Sequence, residues 1–134
     1  MIVTFYESEI QRIKALCFSN DHQLNTVIAT RNYIDNNFDK EIKLDFLAHV
    51  RFTSKFHLLR IFKKYYGITP NQYLIDKRIE KSKEQLAKGI SVTETCFNVG
   101  FESLSSFSAL FKTKTGKSPS QYRKEQFSTN NKVS

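Results

Sequence analysis

The side chains that most often carry out catalysis or bind metals are few in this sequence and lie far apart. The histidines are His22, His49 and His57, and the cysteines are Cys17 and Cys96. No histidine has an acid or a nucleophile at a spacing typical of catalysis, and no CxxC pair or Cys/His cluster suits zinc. The sequence also lacks a glycine-rich phosphate loop. We therefore predict that the protein is not an enzyme and uses no metal or cofactor.

A different chemistry is offered by a basic and apolar stretch around Arg60. Its guanidinium could donate two hydrogen bonds to guanine O6 and N7, a contact worth roughly 1–3 kcal/mol of discrimination between bases. Lys55 and Lys63 lie on either side and suit phosphate groups. Phe56 and Leu59 are unusual residues to leave in water, whereas contact with thymine methyl groups would explain them. The stretch is therefore a candidate surface for binding DNA.

The overall charge favours the same kind of partner. The chain has 134 residues, a formal net charge of +8 and a hydrophobic fraction of 40%. Such an excess favours a polyanion, either nucleic acid or an anionic membrane surface. No apolar run approaches membrane-spanning length, and few cysteines with no signal peptide favour the reducing cytoplasm. Cys96 lies in a helical pattern, which favours a buried structural thiol.

An internal repeat indicates the elements that must position this stretch. Residues 62–74 read FKKYYGITPNQYL, and residues 111–123 read FKTKTGKSPSQYR. In each copy a helix ends at a glycine, Gly67 or Gly116, which suits a left-handed C-terminal cap. A new helix then starts at a Thr-Pro-x-Gln or Ser-Pro-x-Gln capping box. The repeated pattern is therefore helix, stop and restart.

Similarity continues upstream and completes two helix-turn-helix units. Residues 42–54 (IKLDFLAHVRFTS) align with residues 90–103 (ISVTETCFNVGFES) when one residue is added near Glu102. Each copy predicts a short helix, a tight turn and a longer helix, for which Ser54 and Ser103 are candidate N-caps. Such a motif places its second helix in the major groove of DNA.

The predicted fold is all-α, with two helix-turn-helix subdomains joined by a rigid linker helix. We expect about seven helices, plus a short one near the N-terminus. The predicted segments are an N-terminal extension (1–23), a first subdomain (24–69), the linker helix (70–88), a second subdomain (89–127) and a disordered tail (128–134). The tail is assigned because it is polar and terminal.

The core-facing side of the first long helix identifies its outer side. Leu58, Ile61 and Phe62 recur at the spacing of one apolar helical face. Removing them leaves five residues outward: Lys55, Phe56, Leu59, Arg60 and Lys63. The alternative is a solvated basic surface whose apolar residues are covered by a neighbouring helix. The duplicated unit favours DNA, because two reading helices of one monomeric chain could enter major grooves about 34 Å apart.

Three stretches resemble the DNA-binding domain of the AraC/XylS family of bacterial transcription regulators. They are SKFHLLRIFKKYYGITPNQYL from Ser54, DKRIEKSKEQL from Asp76 and VGFESLSSFSALFKTKTGKSPSQYRK from Val99. The resemblance covers roughly residues 25–124. It implies seven helices in two units joined by a linker helix, and sequence-specific DNA binding. It also implies activation or repression of promoters, often through contact with RNA polymerase.

The resemblance also implies which residues read bases. The family's base-reading positions fall on Phe56, Leu59 and Arg60 in the first unit, and on Leu104, Ser105, Ser108 and Ala109 in the second. In the first unit these are the same residues that the periodicity leaves outward.

Two departures from the family pattern alter these expectations. Ala109 stands where the family usually has arginine, so we predict that the first unit carries most of the specificity. The second unit would contribute phosphate contacts from Lys112 and from backbone amides near Ser103. Phe52 stands where the family often has a turn glycine, so a left-handed turn there would be costly.

Two alternatives stay open. One is a non-enzymatic helical module for protein interaction, membrane surfaces or non-specific DNA binding, with Ile10, Ile13 and Leu16 as its best candidate surface. We interpret that segment instead as a helix docked on the domain's own core. The second concerns extent, because the chain could be a complete small regulator or the DNA-binding end of a longer protein.

Overall fold

In the computed structural model, residues 2–133 form seven α-helices. It describes the backbone of residues 2–133 and the side chains of residues 7–13 and 20–129. The helices are α1 (Ile2–Asn37), α2 (Leu44–Val50), α3 (Lys55–Tyr66), α4 (Pro70–Ala87), α5 (Val92–Asn98), α6 (Leu104–Thr115) and α7 (Pro119–Val133). Residues 2–133 contain no strand, and the predicted all-α fold class is confirmed.

The chain forms two compact units, each with one helix-turn-helix. Unit 1 comprises Met1–Tyr33 and Leu44–Pro70, and its motif is α2–α3. Unit 2 comprises Ile34–Lys43 and Asn71–Ser134, and its motif is α5–α6. Residues 34–43, which the sequence placed in the first subdomain, group instead with the second motif.

The N-terminal region forms one long helix rather than a short helix followed by another. α1 runs for 36 residues. The first proline and the first glycine of the chain come after it, so no residue before α2 ends a helix strongly. Ile10 and Ile13 are 50% and 54% exposed, so the expectation that they dock on the domain's own core is wrong. The side chains of Leu16 and Cys17 lie outside the described residues.

The predicted disordered tail is also corrected. The backbone of α7 continues as a helix past Ser128 to Val133. The helix has no stop signal, because no glycine or proline follows Pro119. Near its end the Thr129 hydroxyl donates to the Glu125 carbonyl at 2.8 Å, one helical turn earlier. A polar composition alone therefore did not end this helix.

The helix ends predicted from the repeat are confirmed. Ser54 accepts from the His57 amide at 3.1 Å, and Ser103 accepts from the Ser106 amide at 3.0 Å. α3 and α6 end at left-handed glycines, Gly67 with φ 78° and Gly116 with φ 81°. At the second predicted capping box the serine half forms, with the Gln121 amide donating to Ser118 Oγ at 3.2 Å, whereas the Gln121 side chain donates to Glu125 instead.

The turns of the two motifs share one hydrogen-bond pattern. In unit 1 the Thr53 amide donates to the Ala48 carbonyl and the Phe52 amide to the His49 carbonyl. In unit 2 the Phe101 amide donates to Cys96 and the Gly100 amide to Phe97 in the same way. Both are Schellman motifs, whose central residue is left-handed. That residue is Phe52 (φ 55°) in unit 1 and Gly100 (φ 100°) in unit 2.

Each unit has its own apolar core. In unit 1 the buried apolar residues include Val27, Leu47, Leu58, Ile61 and Phe62. In unit 2 they include Ile79, Leu86, Cys96, Val99, Phe101, Phe107 and Phe111. The predicted burial of Cys96 is confirmed, and burial raises the pKa of its thiol.

Arg78 on α4 ties the 34–43 segment into unit 2. Its Nε donates to the Phe38 carbonyl at 2.7 Å, and its Nη2 donates to the Lys40 carbonyl at 2.9 Å. The guanidinium also lies over the Phe101 ring, 5.6 Å from the ring centroid. Burial lowers the pKa of Arg78, and the charges of Glu102 and Asp39 oppose that shift.

Candidate nucleic-acid interface

α3 buries one side and presents the opposite side to solvent. Leu58, Ile61 and Phe62 are 0–3% exposed. The five residues predicted to face outward lie on the other side: Lys55, Phe56, Arg60 and Lys63 are exposed, and Leu59 is half-buried. Ser54 caps the helix immediately before them. The structure therefore brings the predicted residues of unit 1 together on one helix face.

Phe56 is the most prominent apolar residue of this face. Its side chain is 73% exposed, although burying a Phe is worth roughly 1.5–3 kcal/mol. The Lys55 ammonium lies over the ring at 5.5 Å from its centroid and 3.7 Å from Asp45 Oδ1. Both partners of that ion pair are well exposed, so the pair contributes little stability and leaves Lys55 available for an anion.

Arg60 has a polar contact on its own helix. Its Nη2 lies 3.1 Å from Nδ1 of His57, one turn earlier. His57 is half-buried, and its backbone amide is the donor to the Ser54 cap. Sequence reasoning missed the connection between His57 and Arg60. The signal was their spacing, because residues three apart are neighbours on a helix surface.

α6 presents a different surface. Phe107 and Phe111 are fully buried. Among the predicted site residues, Leu104 is 40% exposed, Ser105 and Lys112 are exposed, and Ser103 and Ser108 are half-buried. The Ser103 and Ser105 hydroxyls lie 3.2 Å apart at the start of the helix. The site of unit 2 therefore consists of hydroxyls and backbone amides, with Lys112 about two helical turns further along.

The two helices also differ in charge. α3 carries Lys55, Arg60, Lys63 and Lys64 with no acidic residue. α6 carries only Lys112 and Lys114, and the Lys114 ammonium is 2.9 Å from Asp76 Oδ1. At a groove lined by phosphates, α3 would therefore provide the stronger electrostatic attraction of the two.

The described residues offer little for other kinds of site. No group of three or more His, Cys, Asp or Glu among them could hold a metal ion. None of the helices, over the residues described, is both long and apolar enough to cross a membrane.

Comparisons with known proteins agree with this architecture. A sequence model described as a helix-turn-helix domain matches residues 47–125. The HTH-type transcriptional activator AarP of Providencia stuartii is 34% identical over 92 residues, which cover 68% of this chain and 68% of that protein. This chain spans only 41–55% of three further curated relatives that are 35–37% identical to it.

Two solved structures share the fold. The C-terminal domain of AraT, a response regulator from Geobacillus stearothermophilus, matches with a TM-score of 0.71 and 31% identity, over 75% of this chain and 84% of that one. The DNA-binding domain of the global transcriptional factor AdpA, solved with a target DNA, matches with a TM-score of 0.70, over 74% of this chain and 90% of that one. At 24% identity, the AdpA match shows a common fold alone.

Proposed function

We propose a division of roles in DNA recognition for this chain, which belongs to the AraC/XylS family of helix-turn-helix transcription regulators. Unit 1 reads bases through Arg60, with Phe56 and Leu59 against thymine methyl groups. Unit 2 binds the phosphate backbone through Lys112 and the backbone amides at the start of α6. The chain acts in this way as a sequence-specific regulator of transcription.

The observation that supports this division is the exposure of Arg60 beside apolar residues on the outer face of α3. A bidentate arginine contact to guanine discriminates between bases by roughly 1–3 kcal/mol, whereas a phosphate contact is indifferent to sequence. Ala109 occupies the matching position of α6 and has no hydrogen-bonding side chain. The difference in reading power therefore follows from one residue in each helix.

The arrangement on DNA follows from the repeat. Two recognition helices in successive major grooves contact sites about 10 base pairs apart. α4 has 18 residues without a break, about 27 Å at roughly 1.5 Å per residue, which suits a stiff connection in such a complex. We propose that one chain occupies both grooves as a monomer, on an asymmetric site.

The biological setting follows from the family. A regulator of this kind binds promoter DNA in the bacterial cytoplasm, and contact with RNA polymerase would couple binding to transcription. The proposal assigns no catalytic step and no cofactor to the chain.

The test begins with selection of preferred duplexes from random DNA at two salt concentrations. Binding is then measured for Arg60→Ala and, as a matched control, for Lys88→Ala, which also removes one exposed positive charge but lies outside α3. We expect Arg60→Ala to reduce discrimination at one base pair by about 5- to 150-fold, and Lys88→Ala to leave discrimination unchanged. Equal losses of discrimination from Arg60→Ala and Ser105→Ala would contradict the proposed division.

A further inference from the structure

We propose that His57 is a positioning residue for Arg60, holding the guanidinium in the orientation that reads a base. This inference rests on the proposed function, because it assigns a role within the reading of DNA by α3. The family resemblance implies base reading by Phe56, Leu59 and Arg60, and the proposal adds His57, which contacts Arg60.

The contact has the geometry of a directional hydrogen bond. Arg60 Nη2 and His57 Nδ1 are 3.1 Å apart, within the usual range for a nitrogen donor and its acceptor. Nδ1 can accept only in the neutral ring, with its proton on Nε2. Arginine has five N–H donors, so one bond to His57 leaves an edge of the guanidinium free for guanine O6 and N7.

The imidazole is itself held in place. His57 lies in the first turn of α3 and is half-buried, and its amide donates to Ser54 Oγ at 3.1 Å. The backbone that carries the ring is therefore fixed by the helix cap. Arg60 by contrast is exposed on a long flexible side chain, which loses rotamer entropy when it binds a base. A bond formed before DNA arrives reduces that entropic cost of binding.

Unit 2 provides an internal comparison. Ser106 and Ala109 occupy the positions in α6 that His57 and Arg60 occupy in α3. The Ser106 amide donates to Ser103 Oγ at 3.0 Å, so the cap and the first turn are the same. Both members of the His57 and Arg60 pair are replaced in α6, while the cap is kept. The pair is therefore separable from the structure of the motif.

A competing role for His57 is a direct contact with phosphate through Nε2–H. The neighbouring charged groups on α3 are Lys55, Lys63 and Lys64, all of them exposed cations. A phosphate role would lower affinity for every duplex by the same factor and reduce the dependence of binding on salt. A positioning role changes discrimination only at the base pair that Arg60 reads. The two roles are therefore distinguishable by which quantity changes.

The experiment measures binding of the whole chain to the selected duplex and to duplexes changed at single base pairs. The variants are His57→Ala, His57→Asn, Arg60→Ala and the double variant His57→Ala/Arg60→Ala, with Ser106→Ala as the matched control in α6. The His57→Asn variant places an amide oxygen close to the position of Nδ1, so it restores an acceptor without the ring.

We expect His57→Ala to reduce discrimination at the Arg60 base pair by about 2- to 12-fold, the range for loss of one hydrogen bond. Discrimination at other positions should be unchanged, His57→Asn should retain most of the wild-type value, and the double variant should match Arg60→Ala. Ser106→Ala should behave as wild type. Thermal unfolding of each variant checks that the fold is intact.

Three results would overturn the inference. The first is a uniform loss of affinity in His57→Ala with a smaller salt slope, which would assign His57 to phosphate. The second is an equal effect of His57→Ala with and without Arg60. The third is full discrimination in His57→Ala while Arg60→Ala loses it, in which case the proposed function survives alone. If Arg60→Ala keeps full discrimination at every position, both proposals fail.

Discussion

At the turn between its helices, unit 1 has Phe52 where unit 2 has Gly100, and the backbone hydrogen bonds around the two residues are the same. A Cβ in the left-handed region costs roughly 1–2 kcal/mol wherever it occurs. The surroundings differ. Phe52 is 98% exposed, whereas a Cβ on Gly100 would lie 2.8 Å from the Phe38 carbonyl oxygen. Space therefore decides which turn tolerates a side chain.

The recognition helices show the same contrast between a shared frame and different contents. Both begin at a serine cap and end at a left-handed glycine. α3 buries Leu58 and Phe62 in the core, and α6 buries Phe107 and Phe111 at the matching positions. Their outer faces differ, with His57 and Arg60 on α3 and Ser106 and Ala109 on α6. The two motifs thus share the residues that cap the helices and fill the core, and they differ at most outward positions, with Lys63 and Lys112 as a shared exception.

The largest expected effect comes from replacing a buried phenylalanine that the two units share. Phe62 and Phe111 are repeat partners, and both are 0% exposed. Replacing either with alanine should cost about 3–5 kcal/mol, because the change removes a buried ring and leaves a cavity. Urea unfolding followed by circular dichroism measures the loss. Phe56→Ala is the control, and a cost below about 1 kcal/mol for either buried ring would show that the cores are not equivalent.

Gly100→Ala should have the next largest effect. The new methyl would meet the Phe38 carbonyl oxygen at 2.8 Å and Arg78 Nε at 3.0 Å, at a φ of 100° that strains any L-residue. We expect a loss of roughly 2 kcal/mol or more in the free energy of unfolding. Gly67→Ala is a matched control, because φ is also positive there but nothing lies within 4 Å. Equal losses from the two variants would mean that backbone strain, not space, governs unit 2.

Lys112→Ala tests the proposed role of unit 2. Loss of one phosphate contact should weaken binding to all duplexes by a similar factor, roughly three- to tenfold, and lower the salt slope by about 1. Binding measured at several salt concentrations on the selected and on altered duplexes checks both quantities. If the order of affinities among the duplexes changes, Lys112 contributes to base reading, and unit 2 does more than bind the phosphate backbone.

The smallest expected effect is a gain. Phe52→Gly removes the left-handed strain of about 1–2 kcal/mol but adds freedom to the unfolded chain, worth roughly 0.5–1 kcal/mol. The net stabilisation should be about 0.5–1 kcal/mol, the difference between those two effects, seen as a small rise in the urea midpoint. A destabilised Phe52→Gly variant would show that the exposed ring has contacts that stabilise unit 1.

Much of this architecture followed from local patterns in the sequence. The capping serines, the glycine stops and the apolar face of α3 depend on residues within a few positions of one another, and the repeat presents the caps and the stops twice. The outer face of α3 followed because a helix with one buried side has a defined opposite side. Base reading by these residues stays a prediction.

What the sequence did not predict depends on contacts between distant residues or on missing stop signals. The bonds from Arg78 to Phe38 and Lys40 span a sequence distance that no periodicity reports. α7 ran further than predicted because its polar end was interpreted as a disordered tail, although no glycine or proline ends the helix. α1 ran further because no glycine or proline interrupts it. The bond between His57 and Arg60 could have been predicted, since residues three apart are neighbours on a helix, but the histidines were considered only for catalysis and metal binding.

The attachment of residues 34–43 by Arg78 has a consequence for dissecting this molecule. The second motif cannot be isolated by a single cut before α4, because a fragment starting at Asn71 would lack the Phe38 and Lys40 carbonyls. The Arg78 guanidinium of that fragment would lose both acceptors, and we expect the fragment to unfold or aggregate. A fusion protein that carries the second helix-turn-helix must therefore also include residues 34–43, which precede α2.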